Sequence, residues 1–276
     1  MRIDSHQHYW KISRGDYGWI TPALPVLYRD FMPDDLEAVL QRHELDGSIL
    51  VQAAPTAEET EFILSIADRH SSVLGVVGWL DLFDPGHRLQ YEIYRRNPKF
   101  AGFRLMIQDM PDASRILEPD FLEALRGYAA EKVPVDLLVV SGQLEFVLPM
   151  LRQLPELHAV IDHIAKPSIK QAEIEPWFSY MEEISRFPNI YCKLSGMVTE
   201  ADAQTWKLED FTPYISRVLE LFGPDRVMFG SDWPVCLLAA EYGEVVEILL
   251  RSLPDSWGEQ EQARLFGLNA KEFYQL

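Results

Sequence analysis

The sequence predicts an α/β protein, a single-domain (β/α)8 TIM barrel spanning residues 1–276. Three observations carry that expectation. Eight short apolar runs are spread along the chain. Amphipathic stretches of helical period lie between them. The length, 276 residues, suits one barrel closed by eight strand–helix units. An open doubly wound sheet is the rival arrangement, but the Gly-rich first turn that it uses is missing.

The strand candidates are Arg2–His8, Gly47–Gln52, Leu74–Leu80, Ala101–Met106, Pro134–Val140, His158–His163, Ile190–Leu194 and Val227–Ser231. Most are rich in Val, Ile and Leu, as parallel strands buried on both faces require. Between strands one and two, Pro33 suits a first helical turn. Asp34, Asp35 and Glu37 follow at the positive end of a helix running to Arg42. Thr56 followed by Glu59 has the spacing of a capping box for a helix through Asp68. Further helices are expected near Asp120–Glu131, Leu144–Gln153, Ile174–Phe187, Leu208–Phe222 and Tyr242–Ser252. Two more, near Glu259–Phe266 and Ala270–Tyr274, close the chain. The longest irregular stretch, Tyr9–Met32, follows strand one and should overhang the active face, where long loops are usually functional.

Composition excludes several function classes. The net charge of −18 would repel nucleic acid and anionic membrane, so neither is an expected partner. The two cysteines, Cys192 and Cys236, have neither metal-knuckle nor redox spacing and read as small buried thiols. The N-terminus lacks the apolar core of a signal peptide, and no run of 18 apolar residues exists. The expected compartment is the cytoplasm.

Barrel chemistry gathers at the C-terminal ends of the strands. Strand one ends in His6-Gln7-His8, two imidazoles on one side of the strand that can bind a divalent metal or a substrate group. Strand six ends in Asp162-His163, with Lys166 just beyond. Strand eight runs into Gly230-Ser231-Asp232-Trp233-Pro234, where Asp232 can serve as base for a water or as metal ligand, with room left by Gly230. Arg104 on strand four faces either substrate or an ion pair, for which Asp136 on strand five is a candidate. Lys193 and Ser195 on strand seven carry the same two readings. Gln52, Trp79 and Trp19 are candidate substrate contacts, Trp19 because it lies in the long first loop. His43, His70 and His87 fall on helix ends or connections, and His158 stands at the opposite end of the barrel.

Asp4-Ser5-His6-Gln7-His8, Asp162-His163-Ile164-Ala165-Lys166-Pro167 and Gly230-Ser231-Asp232-Trp233-Pro234 resemble the amidohydrolase superfamily, in its lactonase-like branch. Tyr17-Gly18-Trp19, Arg29-Asp30-Phe31 and Cys192-Lys193-Leu194-Ser195-Gly196 are most similar to its sugar lactonases, which act on fuconolactone or rhamnonolactone. The resemblance implies hydrolysis of a sugar-acid lactone, a small-molecule substrate; a homo-oligomer is the one assembly with other chains that is entertained. Asp232 would be the general base. His6, His8 and His163, or a metal they hold, would stabilise the oxyanion, and Arg104 and Lys166 would position the substrate. A metal-dependent decarboxylase, an amide hydrolase and a dicarboxylate-lactone hydrolase are the alternatives. Metal-rich members of that superfamily carry a ligand lysine or acid on strand four and a histidine on strand five; this sequence departs from them, with Arg104 on strand four and no histidine on strand five, so the resemblance does not extend to a two-metal centre. The expectation is either no cofactor or one divalent ion, zinc first, on His6, His8 and Asp232.

Overall fold

The computed structural model describes all residues, Met1–Leu276. Eight parallel strands are hydrogen-bonded in chain order: β1 (Ile3–Gln7), β2 (Gly47–Val51), β3 (Val73–Trp79), β4 (Phe100–Met106), β5 (Val135–Leu138), β6 (Ala159–Ile161), β7 (Ile190–Leu194) and β8 (Val227–Phe229). Each falls within or within one residue of the predicted run. The long helices α1 (Pro33–Arg42), α2 (Ala57–Ala67), α4 (Pro119–Ala130), α5 (Leu144–Gln153), α6 (Trp177–Ser185), α7 (Leu208–Phe222) and α8 (Tyr242–Arg251) occupy the predicted places. The chain ends in α9 (Glu259–Ala263) and α10 (Asn269–Phe273), joined by a short π-turn. One helix, α3 (His87–Tyr94), lies where the apolar pattern marks none.

The barrel closes at β1 and β8 through a seam beyond the regular ladder. Gln7 forms a parallel bridge with Trp233. Asp232 N–H donates to His6 O and His8 N–H donates to Trp233 O, both at 2.8 Å. Buried side chains reinforce the seam. Ser5 Oγ donates to Phe229 O at 2.6 Å, and Asp4 accepts from His6 N–H, Ser231 N–H, Ser231 Oγ and Tyr242 OH. Burial nevertheless pushes the Asp4 carboxyl up to about 6. Asp4 and Ser5 thus hold the strand ends that bring Asp232 beside the two histidines.

A large apolar cluster fills the space between strands and helices, and a smaller one plugs the N-terminal end of the barrel with Phe273 and Tyr274 of the chain terminus. Both cysteines are buried and unpaired. No helix is long and apolar enough to cross a membrane.

Candidate active site

The four residues expected at the reaction centre meet at the C-terminal mouth. The His6 ring lies 4.9 Å from that of His8 and 4.4 Å from that of His163, between centroids. Asp232 Oδ1 stands 3.3 Å from His8 Nε2, 3.9 Å from His6 Nε2 and 4.0 Å from His163 Nε2. All four are nearly sealed from solvent. A cavity of about 260 Å³ opens above them, lined by His8, His163, Lys166, Asp232, Arg104 and Trp19 among others.

Local backbone aims these groups. His163, Ile164, Ala165 and Lys166 form a left-handed turn, with φ of 54°, 48°, 60° and 47°. Such conformations cost residues with a Cβ about 1–2 kcal/mol each. Two bonds hold the turn: Lys166 N–H to His163 O at 2.8 Å, and Trp177 Nε1 to Ile164 O at 2.6 Å. The turn places both His163 and Lys166 on the cavity wall. Gly196 makes room, since a Cβ there would come 2.5 Å from His163 Nδ1. The room left by Gly230 is taken by His6, whose Cβ a side chain at 230 would meet at 2.7 Å, rather than lying beside Asp232.

Beneath His6 lies a sealed ionic layer. Lys193 Nζ pairs with Asp136 Oδ2 and stands 3.1 Å from both Asp162 Oδ1 and His6 Nδ1. Tyr274 OH donates to Asp136 Oδ1 at 2.8 Å. Arg104 Nη1 reaches Asp162 Oδ2 at 3.5 Å and His6 Nε2 at 3.4 Å, while Nη2 donates to Gln52 O and Oε1. The ion pair weighed for Arg104 with Asp136 is therefore not formed: Asp136 belongs to Lys193 and Arg104 to Asp162. Gln52 is spent on holding Arg104. Trp79, the last residue of β3, lines a neighbouring cavity with Leu80, Phe83 and Phe121, so the structure does not bring it to the histidines. Trp19 does reach the central cavity and is tethered by its Nε1 to Ala53 O at 2.9 Å. Ser195 Oγ shares a 2.9 Å hydrogen bond with His163 Nδ1.

The electrostatics favour neutral His6 and His163 rings beside an ionised Asp232. Burial, followed by Lys193, holds His6 well below its ordinary value, with Asp162 opposing; burial does the same to His163. Burial would raise Asp232, but His163 and His8 outweigh it and the carboxyl is lowered. Asp162 is likewise raised by burial, yet Lys193 and then His6 drive it well below the usual carboxylate range.

The donor set fits a divalent ion. His8 Nδ1 must donate to Val51 O, at 2.7 Å, because a carbonyl only accepts. In the neutral ring Nε2 is then bare and faces an Asp232 oxygen at 3.3 Å. Two acceptors so placed repel unless a proton or cation lies between them. Tetrahedral ligands each about 2.1 Å from a zinc ion stand roughly 3.4 Å apart, near the spacings found here. His6, His8 and Asp232 form one such group; His6, Asp162 and His163 form another, but its Asp162 is already engaged by Lys193 and Arg104.

Asp162 and the Asp136–Lys193 pair stood in the sequence without a fixed role. Gln108 and Asp109, which line the cavity, carried no sequence signal beyond their place at the end of β4.

Known proteins resemble this sequence and fold over the full chain. The L-fucono-1,5-lactonase of Burkholderia ambifaria is 38% identical, over 100% of this chain and 96% of that protein. A protein of the same name from Burkholderia multivorans is 36% identical with the same coverage. A crystal structure of an amidohydrolase from Burkholderia multivorans with bound zinc superimposes with a TM-score of 0.92 at 36% identity, covering 100% of this chain and 99% of that one. The amidohydrolase family model matches residues 3–276, and the chain belongs to that family.

Proposed function

We propose that the protein hydrolyses a sugar-acid lactone, of the L-fucono- or L-rhamnonolactone kind, to the open-chain aldonic acid. The observation that carries this reading is Asp232, ionised and set among three imidazoles at the floor of a cavity sized for one small ring. The full-length likeness to L-fucono-1,5-lactonases supports the substrate.

An ester carbonyl yields to water only when a base takes the water's proton. Asp232 Oδ1 is that base. As the oxygen of water bonds to the carbonyl carbon, its proton passes to Asp232 and negative charge develops on the carbonyl oxygen. Lys166 and the His163 imidazole stand on the wall where that charge can be met. When the ring C–O bond breaks, the proton held by Asp232 passes to the departing alkoxide. The products are a hydroxyl and a carboxylic acid, which ionises at neutral pH. Arg104 is committed to Gln52, Asp162 and His6, so its part is to fix His6. Trp19 offers an aromatic face to the ring. His6, His8 and Asp232 would hold one divalent ion, zinc by its donor set, which supplies Lewis acidity when bound.

A panel of lactones followed with a pH indicator tests the reading. Five- and six-carbon sugar lactones should release acid. Asp232→Asn keeps the shape and removes the base, so kcat should fall at least about 10²-fold in a folded protein. His6→Asn and His8→Asn should lower kcat as well. Near wild-type turnover in Asp232→Asn would move the base elsewhere, with His163 the next residue to test.

A further inference from the structure

Three successive carbonyls where β2 leaves the sheet each receive a side chain of the site. Val51 O accepts from His8 Nδ1 at 2.7 Å, Gln52 O from Arg104 Nη2, and Ala53 O from Trp19 Nε1 at 2.9 Å. The positions of His8, of Arg104 behind His6, and of the aromatic wall therefore follow the position of residues 51–53. Gln52 N–H still pairs with Val77 O of β3, at 2.9 Å. The next amide, Ala53 N–H, is taken instead by Glu59 Oε1 of α2, at 3.1 Å.

The other oxygen of Glu59 reaches the loop over the mouth. Tyr17 OH donates to Oε2 at 2.5 Å. Ile20 N–H donates to Tyr17 O at 2.9 Å, so Tyr17 and Trp19 share one tight turn. Trp10 packs against both, its ring centroid 6.3 Å from that of Tyr17 and 5.6 Å from that of Trp19. Glu59, Tyr17 and Ala53 are buried, whereas Trp19 is half-exposed above them. A buried carboxylate is costly unless hydrogen-bonded, and Glu59 meets that need with these two donors. Arg14 Nε stands 3.9 Å away, its guanidinium paired in turn with Asp16. Out of water, such bonds hold their geometry more strongly.

We infer that Glu59 is a positioning residue for the reaction: with one oxygen on Ala53 N–H and the other on Tyr17 OH, it fastens the Tyr9–Met32 loop to the end of β2, and so fixes Trp19 over the cavity and the carbonyls that orient His8 and Arg104. The inference rests on the lactonase reading above. The two oxygens act on different quantities. The tie to Tyr17 sets the place of Trp19, which meets the bound ring, and so acts on KM. The tie to Ala53 sets the carbonyls of Val51 and Gln52, behind His8 and Arg104, and so acts on kcat. A misplacement of about 1 Å, caused at a distance from the chemistry, can cost about 10²-fold.

The test is a kinetic cycle on a sugar-acid lactone at a pH above about 7, the value to which burial raises Glu59. The variants are Tyr17→Phe, Trp19→Ala, the two combined, Glu59→Gln and Glu59→Leu, each checked by a thermal melt. Tyr17→Phe removes one hydroxyl and should raise KM roughly 5- to 10-fold with kcat nearly unchanged. Trp19→Ala should raise KM at least as much. In that background Tyr17→Phe should add less than about twofold, because the hydroxyl acts through the indole. Glu59→Leu should lower kcat as well, by about 10²-fold. The amide of Glu59→Gln can accept from Ala53 N–H and donate to Tyr17 OH, so this variant should recover most of that loss. Effects of Tyr17→Phe and Trp19→Ala that simply multiply overturn the inference while the lactonase reading stands. So do melts that shift while KM and kcat stay parental, or a Glu59→Gln as impaired as Glu59→Leu. If Glu59→Leu does not fold, the Tyr17–Trp19 cycle decides alone. A parent inert toward every lactone overturns both the inference and the lactonase reading.

Discussion

Lys193 is an ammonium sealed inside the barrel, and its position shows why side-chain pairing is hard to read from sequence. Arg104 and Asp136 are direct neighbours in the β4–β5 register, which made them a plausible pair. In the barrel, however, each interior layer draws on alternate strands. Asp136 on β5 therefore meets Lys193 on β7, and Arg104 on β4 meets Asp162 at the end of β6. That His6, His8, His163 and Asp232 would share one face was legible because each stands at a strand end, a position that fixes the face without fixing the neighbour. Removing one member of the buried pair leaves an uncompensated charge, at a cost of about 3–5 kcal/mol. Lys193→Met should lose stability on that scale in urea unfolding. Lys193→Met combined with Asp136→Leu removes both charges and should recover much of the loss. A double variant no more stable than the single one would show that the two residues are not coupled.

Among the elements, the segment from Tyr9 to Met32 departs furthest from regular structure, yet it is firmly attached. It closes on itself through a Trp10–Phe31 bridge and docks on α2. Tyr17 OH donates to Glu59 Oε2 at 2.5 Å, and Ala53, which accepts from Trp19 Nε1, donates its N–H to Glu59 Oε1 at 3.1 Å. The Thr56–Glu59 spacing thus marks the helix start correctly, with Thr56 Oγ1 accepting from Glu59 N–H. The Glu59 carboxylate does not complete the box, because the loop takes it instead. Helix α3 was illegible for a different reason: Leu89 and Ile93 are 70% and 47% exposed while Tyr91 and Tyr94 face the core, so its strongest apolar residues point the wrong way. Burial raises the Glu59 carboxyl to about 7. Between about pH 4.5 and 7 the folded chain then binds more protons at this site than the unfolded chain. Stability from Glu59 falls as pH rises through that window, by on the order of 3 kcal/mol. Glu59→Gln cannot titrate, so its stability relative to the parent should improve from pH 5 to pH 8. A constant gap between the two across that range would contradict the assigned shift.

The closed barrel turns eight separate strand ends into one small charged enclosure, and this determines how much metal the whole molecule should take up. The imidazoles of His6, His8 and His163 gather around the Asp232 carboxylate, and Arg104 on β4 is a cation, already bound to Gln52, Asp162 and His6, that cannot serve as a ligand. β5 contributes no histidine, and Asp162, the carboxylate nearest a second position, is bound to Lys193 and Arg104. Elemental analysis of the purified protein should therefore find at most one divalent ion per chain, and two bridged ions would refute the argument. Because the ligands come from β1 and from the stretch after β8, a bound ion would also tie the barrel seam. An ion that binds only the folded chain stabilises it by about 2.7 kcal/mol when free metal is a hundredfold above its dissociation constant. For a chain of this size that corresponds to a rise in Tm of roughly 5–10 °C. Chelator-treated protein titrated with zinc should show such a rise, His8→Asn should reduce it, and Asp162→Asn should reduce it less, since Asp162 supports His6 without facing the ion. A melt indifferent to zinc, in protein confirmed free of metal at the start, would remove the ion from the site and leave the imidazoles and Lys166 to meet the developing charge alone.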